Sequence, residues 1–372
     1  MKKVSLQEVL EGIEDPRRRM SVLYPLHEVL FIMLVGVICG ATSYVKIELF
    51  GKSREEWLRK YLTLEHGIPD ACTFRNVIRQ IDTKKLHTVF VAWMRSTVEA
   101  ISGVVAIDGK QARRTKDAAH KPLHVVSAFA SECRLVLGQL ACEDKSNEIT
   151  AIPKLLEMLE LEGCIVTIDA MGTQVEIAEK IREKKADYIL SLKANQPSLY
   201  EDVRLFFEAT PSGMEKAIQR AVQNSQGHGR VERRECLVCE DIDWLSSGKR
   251  WPDLKGIGVI RSFVQQRGQT SKQNHYFIYS CKNMTVEQIM AAKRSHWGIE
   301  NGLHWVLDMA FREDDSRARR DYSAENFNVL RHMAYNILKA DTSVKGSFSD
   351  KQFKCLLDSR YLEKILASWF RS

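Results

Sequence analysis

Three acidic residues stand where a chain can hold carboxylates rigidly in one cleft. Asp108 follows the apolar run 103–107, Asp169 follows a second apolar run at 164–168, and Glu300 lies within a long helical pattern. Carboxylate oxygens are ligands that Mg²⁺ prefers, and two such ions about 4 Å apart suit phosphodiester chemistry. The trio therefore predicts a site with two Mg²⁺ (or Mn²⁺) ions, in which Asp108 bridges both and Asp169 and Glu300 each hold one.

A plainer role exists for each acid, because aspartate often ends a strand in a turn and helical glutamates are often solvated. The context favours a site, since Gly109 and Lys110 follow Asp108 and place a compact backbone and an amine beside it. Asp169 is followed by a small-residue turn into a helix. His296, Glu300 and His304 could form a metal-binding face, but the H-E-x-x-H signature of helix-borne zinc hydrolases is absent.

The elements around these acids predict an α/β fold with a mixed sheet. Residues 1–100 have helical apolar spacing and form a predicted N-terminal domain, and residues 101–372 form a predicted catalytic domain. The expected strands are 103–107, 123–130, 134–142, 164–168 and 187–192, with helices from near Pro153 and over 174–184. Strands that alternate with helices join by right-handed parallel crossovers, so the first and fourth strands should bring Asp108 and Asp169 side by side.

A β-rich insertion of about residues 200–284 is predicted before Glu300, with strand patterns from 227, at 257–264 and at 275–280. Thr285 and Gln288 match a capping box that opens the Glu300 helix. On this helix Trp297, Ile299 and Trp305 are expected in the core. Gly298 and Gly302 either permit close packing on the face away from Glu300 or break the helix.

The N-terminal helices offer a candidate DNA-binding element. A short turn ending at Asp70 precedes a helix with four polar side chains that could enter a DNA groove: Arg75, Asn76, Arg79 and Gln80. The alternative is a charged outer face of an ordinary helical domain. A net charge of +7 and a pI near 8.8 fit a polyanionic partner but do not require one.

Composition also bears on the compartment. The uncharged part of the most apolar stretch, 28–42, is only 14 residues, short of the roughly 20 that cross a bilayer, so it predicts a buried helix. Nine irregularly spaced cysteines and no visible secretory signal indicate a cytoplasmic protein. Cys236 and Cys239 form a single CxxC in an alternating context, which indicates a strand rather than a zinc site.

A set of motifs in fixed order extends over essentially the whole chain. They are Ile107–Lys110, Lys145–Ile149, Ile168–Gly172, Lys193–Gln196, His228–Arg230, His296–Asn301, Leu303–Trp305 and Glu313–Asp314. This set resembles the H-repeat-associated (Rhs-element) transposases of the DDE superfamily. The resemblance implies a ribonuclease H-like core interrupted by a β-rich insertion. It also implies Mg²⁺-dependent DNA cleavage and strand transfer at inverted repeats by Asp108, Asp169 and Glu300.

One departure from related insertion-sequence transposases concerns the glutamate helix. Those proteins place tyrosine, arginine and lysine around the glutamate, where this chain has Lys293, His296 and Leu307. The last basic contact is therefore missing. His296 could still contact phosphate.

The expected partners are DNA ends and target DNA, bound by a homodimer because two ends must be processed together. Backbone contacts to DNA are expected from Lys110, Arg113, Arg114, Lys193, Asn195, His228, Arg230 and His296. Two alternatives stay open. One is a DNA-binding relic without catalysis, and the other is a metal-dependent nuclease that cannot join ends.

Overall fold

A nine-stranded mixed sheet lies at the centre of the fold. The computed structural model describes residues 5–18, 22–97, 101–116, 121–142, 148–227, 230–266 and 268–370. The strands are β1 Val104–Gln111, β2 His124–Ala130, β3 Leu135–Cys142, β4 Ile165–Ile168, β5 Asp187–Leu192, β6 Ile218–Gly227, β7 Arg230–Cys239, β8 Gly256–Gln266 and β9 Gln269–Tyr279. Their order is β3-β2-β1-β4-β5-β9-β8-β7-β6. Strands β1, β4 and β5 are parallel, and all other neighbours are antiparallel, as expected for a ribonuclease H-like mixed sheet.

Helices cover both faces of this sheet. They are α1 Leu6–Glu11, α2 Leu26–Ile38, α3 Tyr44–Ser53, α4 Glu55–Leu58, α5 Ala71–Ile78, α6 Thr83–Thr97, α7 Glu148–Glu157, α8 Val175–Glu183, α9 Pro197–Glu208, α10 Val286–Ser295, α11 Trp297–Ile299, α12 Trp305–Met309, α13 Ser323–Ala340, α14 Phe348–Leu357 and α15 Ser359–Phe370. Successive side chains of a strand point to opposite faces. In β1, Ala106 therefore joins the core under the N- and C-terminal helices, whereas Val105 and Ile107 join the core under α7 and α8.

The N-terminal and C-terminal helices share one hydrophobic core. Helix α2 is apolar on all sides and almost wholly buried, and it packs against α13. This confirms the prediction of a buried helix within residues 28–42. None of the helices in the described ranges is long and apolar enough to cross a membrane. The division into domains at residue 100 stays a prediction, because helices from both ends of the chain build this core together.

Most predicted elements of the catalytic core match the structure, but one helix begins earlier than predicted and two elements of the insertion were missed. Helix α7 already includes Glu148, so Pro153 lies inside the helix and not in its first turn. Helix α9 and strand β6 were not predicted within the insertion. Only Ala221 of β6 is buried, so this strand lacks the alternation by which strands are found in sequence. The capping box at Thr285 is confirmed, with Gln288 bonded back to its backbone.

The insertion extends the central sheet and does not form a separate one. Strand β9 pairs with β5 from Ile189–Tyr279 to Leu192–Tyr276, and β8, β7 and β6 follow outward. Strands β8 and β9 are longer than predicted, and their hairpin ends project past the end of β5. The CxxC residues both lie on β7 and face opposite sides of the sheet, Cys236 in one core and Cys239 in another. The strand prediction for this motif is confirmed.

Asn336 of α13 ties the C-terminal helices to the edge strand β3. Its Oδ1 accepts a hydrogen bond from Val136 N at 2.9 Å, and its Nδ2 donates to Val136 O at 2.8 Å. Asn336 is fully buried, and Val136 follows an irregularity in the β2–β3 register. The amide side chain thus replaces the neighbouring strand that Val136 lacks on its outer side.

We predict that Asn336→Ala lowers the free energy of unfolding by about 2–5 kcal/mol, because a buried N–H and a buried C=O both lose their partner. Urea denaturation would measure this change. Asn224→Ala, at an exposed position of β6, is the matched control and should change stability by less than about 0.5 kcal/mol. Equal effects of the two substitutions would contradict the bracing role of Asn336.

Candidate active site

The parallel pairing of β1 and β4 brings two of the predicted acids together. The pairing ends at Ile107–Ile168, so Asp108 and Asp169 are the next residues of two adjacent strands. Strand β1 does not end at Asp108, as the sequence suggested, because it continues to Gln111 alongside β2. Asp169 also fills the predicted turn role, since its Oδ1 accepts bonds from Met171 N at 3.0 Å and from Gly172 N at 3.3 Å.

The third predicted acid comes from a helix that crosses β1. Glu300 is exposed and begins a π-helical turn, Glu300–His304, between α11 and α12. A π-turn leaves backbone carbonyls without their usual helical partner. Tyr335 of α13 donates its hydroxyl to Gly302 O at 3.0 Å, and a Cβ on Gly302 would lie 3.4 Å from the ring of Phe129. This distance is ordinary van der Waals contact, so close packing does not require a glycine at position 302. The π-turn widens the helix but does not break it.

The two tryptophans on this segment are not in the core. Trp297 is 55% exposed and Trp305 is 60% exposed, whereas Ile299 is fully buried. The prediction was right for Ile299 and wrong for both tryptophans. The difference arises because these residues lie on different sides of the helical segment. Ile299, Leu303 and Leu307 face the core. Trp297 and Trp305 fall on another stripe, beside Glu300.

The carboxylates at this site interact through their charges. Burial raises the pKa of Asp108 to about 7, and the charge of Asp169 and, more weakly, those of Glu148 and Glu300 add to the effect. Glu148 was not among the predicted site residues, although it lies in one of the motifs. Its position near Asp108 depends on the docking of α7 against the sheet, which the sequence did not reveal.

Two buried basic groups face the acids from α10 and its end. Lys293 donates to Ser191 Oγ at 2.6 Å, and burial lowers the pKa of its ammonium to about 8 while Asp169 opposes that effect. His296 lies 3.2 Å from Thr167 Oγ1, and burial lowers its pKa to about 3. His296 is therefore neutral and bonded to β4. The predicted phosphate contact of His296 stays a prediction.

His304 approaches the site from the π-turn. Its Nδ1 is 3.7 Å from Asp108 Oδ2, and burial lowers its pKa to about 3, so the contact is not an ion pair. A cavity of about one water volume lies behind it, lined in part by Lys110, Asn328 and His332. The neutral imidazole of His304 thus lies on the side of β1 towards which Asp108 points, with His332 across the cavity.

Lys110 is largely buried and paired with carboxylates of α12 and of the segment that follows it. Its ammonium lies 2.7 Å from Asp308 Oδ1 and 2.6 Å from Glu313 Oε2, and the side chain is 11% exposed. This environment does not support the predicted phosphate contact of Lys110, because its ammonium is already paired with both carboxylates. Arg113 and Arg114 are exposed at the rim, but each also lies near an aspartate of segment 313–315.

The other predicted DNA contacts divide into two groups. Asn195 is exposed, and its Nδ2 donates to Ala170 O, so it braces the loop after Asp169. Lys193 is exposed and close enough to Lys293 to affect its pKa. Arg230 is exposed at the end of the β6–β7 hairpin, 3.3 Å from Glu232. His228 lies outside the described residues.

The donor set suits a hard divalent cation, because carboxylates that repel one another are relieved by a positive charge. Among the residues that the structure describes, no three His, Cys, Asp or Glu side chains are close enough to form a complete metal cage.

Comparisons with known proteins agree with this architecture. The family model described as Transposase DDE domain matches residues 99–337, and the model described as DDE_Tnp_1-associated matches residues 7–94. The chain is 38% identical over 371 residues to the Escherichia coli O157:H7 protein named "Putative transposase YncI", which covers 98% of this chain and 95% of that protein. It is 37% identical over 370 residues to "H repeat-associated putative transposase YhhI" of Escherichia coli strain K12, with 97% of each chain covered.

A solved structure, the piggyBac transposase synaptic complex with hairpin DNA, superposes with a TM-score of 0.44 at 10% identity, covering 96% of this chain and 79% of that chain. A similarity of this size supports no inference about function. The family models and the relatives that match over the full length carry the assignment, together with the mixed sheet that places two acids side by side. This chain therefore belongs to the DDE_Tnp_1 transposase family and is similar to its H repeat-associated members.

Proposed function

We propose that this protein cleaves DNA at the ends of an insertion element and joins the cut strands to a target. Asp108, Asp169 and Glu300 would hold the metal ions. The observation that carries the proposal is the alignment of Asp108 and Asp169 at the end of the β1–β4 pairing, where the charge of Glu300 also reaches Asp108. Bound Mg²⁺ (or Mn²⁺) would activate a water or hydroxyl and stabilise the leaving oxygen.

The surrounding residues suit this site in three ways. Lys293 places a buried positive charge near Asp169 and offsets part of the local negative charge. His296 and His304 are neutral, so they support the acids without competing as cations. Trp297 and Trp305 present flat apolar surfaces beside Glu300, on which bases of an opened DNA end can stack.

The DNA path is proposed to run from the acids towards the projecting β6–β9 hairpins. Arg230 and Arg234 share one face of β7, and Arg294 of α10 donates to Gln223 on the neighbouring strand β6. Burial is the main cause that lowers the pKa of Arg234. The nearby charges of Arg294 and Arg230 lower it further, so the three guanidinium groups lie close together. Such a concentration of positive charge favours a phosphate backbone. With Lys193 it forms the proposed contact surface of each subunit in a homodimer.

We predict that Asp108→Ala, Asp169→Ala and Glu300→Ala each abolish Mg²⁺-dependent cleavage and joining of a DNA fragment that carries the element's end. The loss should exceed the roughly 10–100-fold that removal of an outer-shell metal partner costs. Asp243→Ala, at an exposed position outside the site, is the matched control.

The readout is gel analysis of nicked and joined products with Mg²⁺ or EDTA on a supercoiled target. Binding without cutting in Mg²⁺ or Mn²⁺ would establish the DNA-binding relic. Cutting without joining would establish the nuclease. Cutting that survives all three substitutions would contradict the proposed acids.

We also predict that Asp108→Asn stabilises the metal-free protein. Folded Asp108 keeps its proton up to a pH of about 7, whereas an unfolded aspartate releases it near pH 4. The stability contributed by this group therefore falls as the pH rises between these two values. In EDTA at pH 8 the variant should be more stable by about 2–4 kcal/mol, a gain that disappears near pH 4.

Calorimetric unfolding with and without Mg²⁺ measures this effect. Added Mg²⁺ should stabilise the natural protein more than the variant, since ligand binding to the folded state raises its stability. Asp243→Asn is the control. If the variant is no more stable than the natural protein at pH 8, folding does not disfavour the ionised form of Asp108.

The proposed DNA path predicts the salt dependence of binding. Lys193→Gln and Arg230→Gln should weaken binding to element-end DNA and reduce the slope of log affinity against log salt by about 0.9 each. Lys185→Gln is the control, because Lys185 precedes β5, whereas Lys193 follows the other end of that strand. Fluorescence anisotropy at several salt concentrations measures the slope, and an equal slope for all three variants would rule out this path.

A further inference from the structure

A buried histidine–glutamate pair lies directly behind Asp108. Glu148, at the start of α7, and His124, at the start of β2, each have a side chain only 4% exposed. Glu148 Oε1 is 2.6 Å from His124 Nε2. His124 Nδ1 is buried and has no hydrogen-bond partner among the described residues, so the bond to Glu148 is the main polar contact of the imidazole.

The pair rests on the backbone of Gly109. A Cβ added at Gly109 would lie 2.3 Å from Glu148 Oε1 and 2.6 Å from His124 Nε2. Both distances are far below van der Waals contact, so a side chain at position 109 would displace the pair. The carboxylate and the imidazole therefore pack against the one residue of β1 that has no side chain to keep them away.

Gly109 connects this pair to the proposed metal site. Its N–H donates to Asp108 Oδ1 at 2.9 Å, so the orientation of this amide determines where the carboxylate points. Side chains of β1 alternate between faces. Asp108 points towards His304, whereas the pair contacts Gly109 from the α7 side. The charge of Glu148 also reaches Asp108 and helps to raise its pKa.

We propose that Glu148 and His124 are positioning residues that hold the Gly109 amide and, through it, the carboxylate of Asp108. Neither residue needs to touch DNA or metal. The consequence for metal binding rests on the proposed function of Asp108, but the effect on the Gly109 amide does not. Outer-shell groups that orient a metal ligand typically change metal affinity 10–100-fold.

The test uses the full-length protein labelled with ¹⁵N-glycine and the variants Glu148→Gln and His124→Gln. Gly109→Ala identifies the Gly109 amide signal in the NMR spectrum by its disappearance. Glu28→Gln is the matched control, because Glu28 is equally buried and accepts backbone N–H bonds from Thr63 and Leu64 in the N-terminal helices. Two variants of the pair are used so that a folding defect in one leaves the other to decide.

We expect Glu148→Gln to shift the Gly109 signal and to weaken Mn²⁺ binding, measured by titration calorimetry, by roughly 10–100-fold. Glu28→Gln should leave both unchanged. An unmoved Gly109 signal in the folded pair variants, or Mn²⁺ affinity equal to that of the control, would overturn the positioning role. If the natural protein binds no Mn²⁺, the proposed function fails, and the shift of the Gly109 signal still decides whether the pair positions that amide.

Discussion

The parallel register between β1 and β4 is the constraint on which the rest of the site depends. Hydrogen bonding stops at Ile107 and Ile168, and the next residue on each strand is an aspartate. Backbone pairing sets the strands about 4.8 Å apart, so neither carboxylate can withdraw from the other without breaking the sheet. Burial is the main cause of the raised pKa of Asp108, and the charge of Asp169, placed next to it by this register, adds to the effect.

Residues far from Glu300 in the sequence fix the position of the helical segment that carries it. The segment that carries Glu300 is anchored by Tyr335 on one side, and Lys110 ties β1 to Asp308 and Glu313 just beyond it. The Lys110 contacts are only partly exposed, so they lose less to solvent screening than surface ion pairs do. Lys110, which is close to Asp108 in the sequence, therefore orients α12 and the segment that follows it. It does so through its ion pairs with Asp308 and Glu313.

The insertion has a different physical character from the core it extends. Near β5 its strands are apolar and buried, but towards the hairpin ends they become polar and basic. Sheet pairing keeps this outer part rigid although little apolar area is buried there. The extension and the Glu300 segment therefore form two walls, one basic and one carrying exposed tryptophans, at the edge where the acids lie.

The sequence by itself indicated most strands of the core, their parallel crossover and the three candidate acids, because apolar runs and turn residues are local signals. It also indicated the capping box at Thr285 and the buried helix α2 in the same way. Only the tertiary structure decided which polar residues meet. Lys110 turned inward, Asn195 bonded to the loop after Asp169, Trp297 and Trp305 turned outward, and Glu148 came to lie behind Asp108. These outcomes depend on helix docking and on partners up to about two hundred residues away, which no local pattern encodes.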